Sequence, residues 1–393
     1  MGMKLRSFAG VVIVALLSAV LVAPQSAAAV KSGATCKKPG LESILNGRKF
    51  TCIKQGKKFV WNKGVVVKAA PTKVSTPTPT PSAVPTPTPT PTFTPPPRPM
   101  NWTELVSKSD GITYWAWKLA QERKATSGTV TTEFIIHIGP KTVMNIQEPE
   151  KLLKAVAGFY SNAPQVKVMH VAFFDFEDVE WAVELDKKYS SRPRPTEVAR
   201  TCLSKTLCNG GNAYIDTNLV GFNYVASSPS NREIAMKNNG ETVAHEYFHV
   251  IQLLPMYDAI SRGIEPVWMP DWIREGTAEW FATTVVSREF SDLTSYQRKW
   301  SEVELYRDKF NAESVSTVLS SNTGQSSNGF FAYNVGAKVA EALVVLKGVD
   351  SILEFYTLGA KGQSFETAFQ NIYGISWAEA KPILAQAISN HYK

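Results

Sequence analysis

Residues 71–99 are almost wholly Pro, Thr, Ser and Ala, with Thr76-Pro77-Thr78-Pro79-Thr80-Pro81 taken up again after Val84. Such a stretch has almost nothing apolar to bury, and each Pro lacks a backbone N–H to donate. It cannot contribute to a core. At about 3.1 Å per residue it predicts an extended spacer reaching up to roughly 90 Å, and its Thr density could accept sugars. The spacer divides the 393 residues into a short front part and a domain of residues 100–393. Only the latter is long enough for a large core.

The front begins as an export signal. Lys4 and Arg6 precede an apolar run from Phe8 to Val22, and Ala27-Ala28-Ala29 offers a small-residue cleavage site, so residues 1–29 are expected to be a signal peptide. The alternative, an uncleaved anchor, would need a longer apolar run. Residues 30–70 carry Cys36 and Cys52, with glycines at 40, 47 and 56 between short apolar runs. This predicts a small β module, and a unit of this size rarely holds a core without a staple. Cys202 and Cys208 lie together in the large domain. The simplest pairing is two local disulfides, Cys36–Cys52 and Cys202–Cys208, in an oxidising compartment, although sequence alone does not fix connectivity. A cysteine zinc site fits less well, since spacings of sixteen and six match no common zinc knuckle.

The formal charge of +8 is unevenly spread. Fourteen Lys and Arg but one acid, Glu42, precede residue 100, which leaves 28 basic and 33 acidic residues, formally −5, in the large domain. Ten of the basic residues lie in 31–70. A compact module of that balance suits an anionic cell-wall or membrane surface; the plainer reading is that the charge aids solubility. In an exported protein no nucleic acid is expected as partner.

In the large domain, Thr131–Ile138, Val166–Phe174 and Asn212–Asp216 read as strands, rich in β-branched and aromatic residues, and Glu148–Tyr160 has helical spacing. The second half is mainly helical. Two of the chain's five histidines stand in His245-Glu246-Tyr247-Phe248-His249. On a helix, residues i and i+4 share a face, so both imidazoles can reach one metal ion. Glu246 points around the helix by about 100°, beside the ion rather than on it. The plainer alternative is a buried helix with two hydrogen-bonded histidines. Downstream, Pro270-Asp271-Trp272-Ile273-Arg274-Glu275-Gly276-Thr277-Ala278-Glu279 supplies two acids one turn apart, behind an Asp suited to a helix start.

His-Glu-x-x-His followed by Trp-Ile-x-Glu-Gly-x-Ala-Glu resembles the gluzincin metallopeptidases, the thermolysin-like and aminopeptidase-N-like zinc enzymes. The resemblance covers residues 210–390 by motif and 100–210 by general layout. It implies an α+β, zincin-like, two-lobed domain with a mixed sheet lobe and a mainly helical lobe. It also implies Zn²⁺ on His245, His249 and Glu275, Glu246 as general base, and Glu279 holding a ligand histidine from behind. Tyr333-Asn334-Val335-Gly336 is similar to the family's Tyr-x-x-Gly helix start, which makes Tyr333 the oxyanion donor. His137 and His170 are rival donors, but each sits in a strand-like run and reads better as structural.

One family element is missing. The Gly-x-Met-Glu-Asn segment, whose Glu holds a substrate amine in the aminopeptidases, does not occur. Gly221-Phe222-Asn223-Tyr224-Val225 stands in roughly its place without a Glu. The expectation is therefore a secreted zinc peptidase acting on a peptide or protein substrate, more an endopeptidase than an aminopeptidase. The alternatives are an inactive zincin-fold surface-binding protein and a hydrolase of cell-wall peptides.

Overall fold

A computed structural model describes residues 31–36, 38–45, 48–66, 94–143, 146, 148–227, 240–285, 293, 296, 309–321 and 330–392. The expected signal peptide and residues 71–93 of the expected spacer lie outside the described residues. The chain divides into two units, Met1–Pro89 and Thr90–Lys393.

The first unit is a small antiparallel sheet of β1 (Glu42–Leu45), β2 (Arg48–Gln55) and β3 (Lys58–Trp61), in that order, with β4 (Val65–Val66) also on β2. Gln55 faces Lys58, so β2 and β3 are joined through Gly56-Lys57 alone. Gly56 takes φ 62°, which such a tight turn favours and a Cβ resists. Along β2, Phe50 and Cys52 point inward and meet Trp61. The Cys36–Cys52 disulfide ties the N-terminal segment to this face.

The second unit is α+β. Its five-stranded sheet runs β5 (Glu133–Ile138), β6 (Val168–Phe174), β9 (Gly221–Ser227), β8 (Leu207–Ile215), β7 (Cys202–Ser204). β5, β6 and β9 are parallel, whereas β8 runs against β9. The reversal follows from the short β8–β9 connection, which is closed by Asp216: its carboxylate accepts from the amides of Asn218 and Val220. The Cys202–Cys208 disulfide closes the β7–β8 hairpin. Both faces of the central strands are covered. Met169, Val171, Phe173, Ile215 and Val225 join the main core. Ala172, Phe174, Tyr214, Phe222 and Tyr224 pack in a second cluster with residues of α4 (Val179–Tyr189) and α5 (Pro195–Arg200). Two covered faces explain why Val168–Phe174 is apolar at every position but His170.

Across the first face lies the long helix α6 (Glu241–Ser261), buried on most of its circumference. After a loop, α7 (Asp271–Val285) returns against it, and α9 (Phe330–Lys347) packs on α7. The helical half also holds α1 (Trp102–Ser107), α2 (Gly111–Ala125), α8 (Ala312–Leu319), α10 (Ser351–Gly359), α11 (Phe365–Tyr373) and α12 (Trp377–His391), while α3 (Pro149–Phe159) packs on β5 and α6. One continuous core runs through the sheet and helical halves. Residues 94–99, expected in the spacer, lie against this unit: Trp115 Nε1 donates to Pro96 O at 2.8 Å and Arg98 Nη2 to Val345 O at 2.9 Å.

The α7–α9 crossing is a backbone contact. A Cβ on Gly276 would lie 2.2 Å from Gly336 C, and one on Gly336 would lie 2.0 Å from Trp272 O. No side-chain rotation relieves either clash. Gly336→Ala would gain about 1 kcal/mol of helix propensity, but overpacking of this kind costs typically about 1–3 kcal/mol, more against rigid backbone. The expected net is a loss of about 2 kcal/mol, read as a lower urea midpoint with an unchanged slope. An unchanged midpoint would mean the helices part easily.

His391 sits near a buried Lys338–Glu341 ion pair, its Nε2 3.3 Å from Thr113 Oγ1. Burial, then the charge of Lys338, pushes its pKa down to about 4. Its contribution to stability is complete above the unfolded pKa near 6.5 and is lost as pH falls toward 4. The lowering is worth up to about 3 kcal/mol. Between pH 7 and pH 4.5, His391→Gln is expected to lose less stability than wild type in urea titrations.

Candidate metal centre and cleft

His245 and His249 stand one turn apart on α6, and Glu275 reaches them from α7. His249 Nε2 lies 3.1 Å from His245 Nε2 and 3.1 Å from Glu275 Oε2; His245 Nε2 is 3.3 Å from the same oxygen. Together the three could hold a metal ion.

The atoms behind them fix the protons. Gln252 Nε2 donates to Arg274 O at 3.0 Å and to Thr277 Oγ1 at 2.8 Å. A carbonyl only accepts, so the amide oxygen must be the atom turned to His249 Nδ1, 2.7 Å away. His249 therefore carries its hydrogen on Nδ1 and a lone pair on Nε2. Glu279 Oε2 stands 3.4 Å from His245 Nδ1 and assigns that ring the same way. With both rings neutral, two imidazole lone pairs and a carboxylate oxygen then converge with no donor among them. Such a triangle calls for a cation. Its edges match a tetrahedral zinc site, where bonds of about 2.0–2.1 Å separate ligand atoms by about 3.3 Å.

The titration behaviour agrees. Burial alone would lower the His245 pKa, but the hydrogen bonds to Glu275 and Glu279 and the charge of Glu246 outweigh it and push it up to about 10. Burial acts to raise Glu275, yet the two histidines hold it well below the usual carboxylate range. The site draws positive charge, a proton if nothing else. Arg274 grips the other Glu275 oxygen, with Nε at 3.2 Å and Nη2 at 3.0 Å from Oε1, and Nη2 also meets Asp271 at 3.0 Å.

Glu246 is buried beside this group, and burial raises its pKa against the pull of His245 and His249. It fits because β8 has no side chain opposite: a Cβ on Gly211 would lie 2.2 Å from Glu246 Cγ. Tyr333 comes from the first turns of α9. Its ring stacks on His245 with centroids 6.1 Å apart and planes 14° apart, and burial, then Glu275, raises its pKa. His245, His249, Glu275, Glu246, Glu279 and Tyr333 line one cavity of about 750 Å³, whereas Gln252 and Thr277 lie behind it.

One wall of that cavity is Gly210–Ala213 of β8. Gly221–Val225, where the sequence suggested the amine-binding segment would fall, is instead β9, one strand in from the cleft. β9 pairs with β6, so β8, turned back at Asp216, lies outside it. β8 carries no acid, but Glu241, buried in the first turn of α6, does line the cavity. His137 and His170 lie outside it. His137 Nε2 lies 2.9 Å from His170 Nδ1, the two rings stack with centroids 5.2 Å apart, Tyr189 stacks on His170 at 4.7 Å, and burial leads in lowering both pKa values, His137 to about 4. This is a structural pair.

Sequence reasoning missed Gln252, Thr277, Arg274 and Gly211. Gln252 had a signal, since it lies three residues after His249 on the same helix face; the others depend on which elements meet. Comparison with protein-family models, with curated proteins and with solved structures gave no match.

Gln252→Leu keeps the volume but removes the acceptor for His249 Nδ1. Metal affinity is expected to fall by about 10–100-fold, measured by competition with a chromophoric chelator. Affinity equal to wild type would show that Gln252 does not orient the ring.

Proposed function

We propose that this protein is an exported zinc peptidase of gluzincin type, with a zincin-like catalytic domain and endopeptidase rather than aminopeptidase activity. The observation that carries the reading is the convergence of three lone pairs beside a buried carboxylate, at the wall of a cleft. His245, His249 and Glu275 would hold zinc, with Glu279 and Gln252 fixing the two rings. Zinc in such a site polarises the substrate carbonyl and lowers the pKa of a bound water to around 7. Glu246 takes the proton of the attacking water and returns it to the departing amine. Its raised pKa suits both directions of transfer. Tyr333, held neutral by burial, donates its hydroxyl proton in a hydrogen bond to the carbonyl oxygen as negative charge grows there.

Substrate orientation would come from β8. Beyond its short pairing with β7, the strand is hydrogen-bonded only to β9 among the described residues. Its other edge at Gly210–Ala213 can pair with an extended peptide backbone. The absence of side chains at Gly210 and Gly211 lets that backbone come close. Export is supported by the two disulfides, which fit an oxidising compartment. Among the described residues no helix is long and apolar enough to cross a membrane. The basic module would hold the enzyme at an anionic wall or membrane surface.

Glu246→Gln is expected to keep one zinc per chain by elemental analysis while casein cleavage drops by at least about 100-fold. Chelation should abolish wild-type cleavage and added zinc restore it. A Glu246→Gln protein that cleaves casein at the wild-type rate would sink the assignment. Zinc binding with no activity on any peptide would favour a binding protein instead.

A further inference from the structure

Arg194 stands just before α5 and lines the same cavity as Glu246. Its guanidinium lies over the Tyr214 ring, 4.7 Å from the centroid, and Nη2 donates to Tyr257 OH at 2.7 Å. Stacking fixes the plane of the fork, and Tyr257 takes one of its five N–H groups. Its backbone amide contacts Asp186, but that buried carboxylate is taken up elsewhere. Asp186 accepts from Tyr214 OH, from Tyr224 OH and from the Arg194 amide. Among the described residues the Arg194 guanidinium has no ion pair. Arg274, the cavity's other guanidinium, is by contrast committed to Glu275 and Asp271.

A partly buried, oriented arginine without a counter-ion, on the wall of a cleft, is a receptor for a planar anion. Its reach can be placed. Tyr257 follows His249 by eight residues on α6, about 12 Å along the axis at about 1.5 Å per residue. Helical side chains lean toward the N-terminus, which shortens the span. An extended peptide advances about 3.3 Å per residue. The anion therefore falls two to four residues from a bond held at the metal centre.

We propose that Arg194 selects substrates with a carboxylate two to four residues from the cleaved bond, supplied by an Asp or Glu side chain or by the peptide's own C-terminus. The proposal rests on the peptidase reading for the identity of the ligand as a peptide. The cleft is polar end to end in a way that suits it. Its acids, Glu241, Glu246, Glu275 and Glu279, lie on the first turns of α6 and on α7, whereas Arg194 meets the last turns of α6.

The test is calorimetric titration of the full chain, zinc-loaded and carrying Glu246→Gln, with N-acetylated heptapeptides. One Glu is moved through the sequence, each peptide has a Gln counterpart, and each is made as the C-terminal acid and as the amide. At least one carboxylate-bearing peptide is expected to bind at least 10-fold tighter than its neutral counterpart. Preference for Glu over Gln within the amides identifies a side-chain source; preference for acid over amide identifies the C-terminus. Adding Arg194→Met should erase the difference, and Arg194→Lys, which keeps the charge and the stem, should retain part of it. Equal affinities, a preference that survives Arg194→Met, or no binding by any peptide overturns the proposal. Binding that depends on Arg194, without cleavage by the protein with Glu246 intact, defeats the peptidase reading and leaves the carboxylate receptor standing.

Discussion

The contact between Gly276 and Gly336 sets the geometry of everything chemical in this molecule. Two helices can touch backbone to backbone only where both lack a Cβ. Because Glu275 immediately precedes one glycine and Tyr333 lies one turn before the other, that touch brings a candidate ligand and a candidate oxyanion donor to the same place. The glycines also draw α9 onto Trp272, whose ring stacks on Trp377 of α12. The same crossing therefore ties the site to the packing of the C-terminal helices. Any residue with a side chain at either position would push α9 outward and take Tyr333 from its stack on His245.

A second layer of order comes from hydrogen bonds that run between α6 and α7. Gln252, rooted in α6, reads the Arg274 carbonyl and the Thr277 hydroxyl of α7, and presents its oxygen to His249. Thr277 in turn donates back to Ile273 O within α7. The ring orientation of His249 is thus set by the register of two helices, not by its own rotamer alone. Arg274 serves both sides of its helix: its carbonyl holds Gln252, and its guanidinium occupies the Glu275 oxygen that the histidines leave. Oε1 is thus held by Arg274, and Oε2 is the oxygen turned to the two histidines.

Much of this was legible in the sequence, for particular reasons. The i, i+4 spacing of His245 and His249 is a property of one helix and needs no tertiary knowledge. The disulfides are local in sequence, and the simplest pairing is the one that forms. The buried strand at Val168–Phe174 shows itself by composition. Glu275 could be picked out only through a family resemblance, because the 25 residues between it and His249 carry no periodic signal. Gly211 was beyond reach, since its meaning lies in what it faces, Glu246 on another element. That β8 and not β9 lines the cleft was not legible, because the two are equally strand-like as text. Only the pairing of β9 with β6 decides which lies outside. Pro96 and Arg98 look like spacer by composition, yet one carbonyl and one guanidinium suffice to dock them.

The same packing determines how far metal binding and folding depend on one another. In a small zinc domain the ligands are scattered in the unfolded chain and the ion supplies the fold. Here α6 and α7 are already locked by Phe248 stacked on Phe281 with centroids 4.5 Å apart, and by Tyr160 beside them. The three candidate ligand atoms are held in place by a core that does not include them. Without a metal ion, the cost falls on electrostatics: a proton on His245 meets the negative charge of Glu275 and Glu279, and its high pKa measures that demand. A cation entering the site therefore displaces a proton instead of assembling a fold. The group is preformed, so a bound cation would change its chemistry more than its shape.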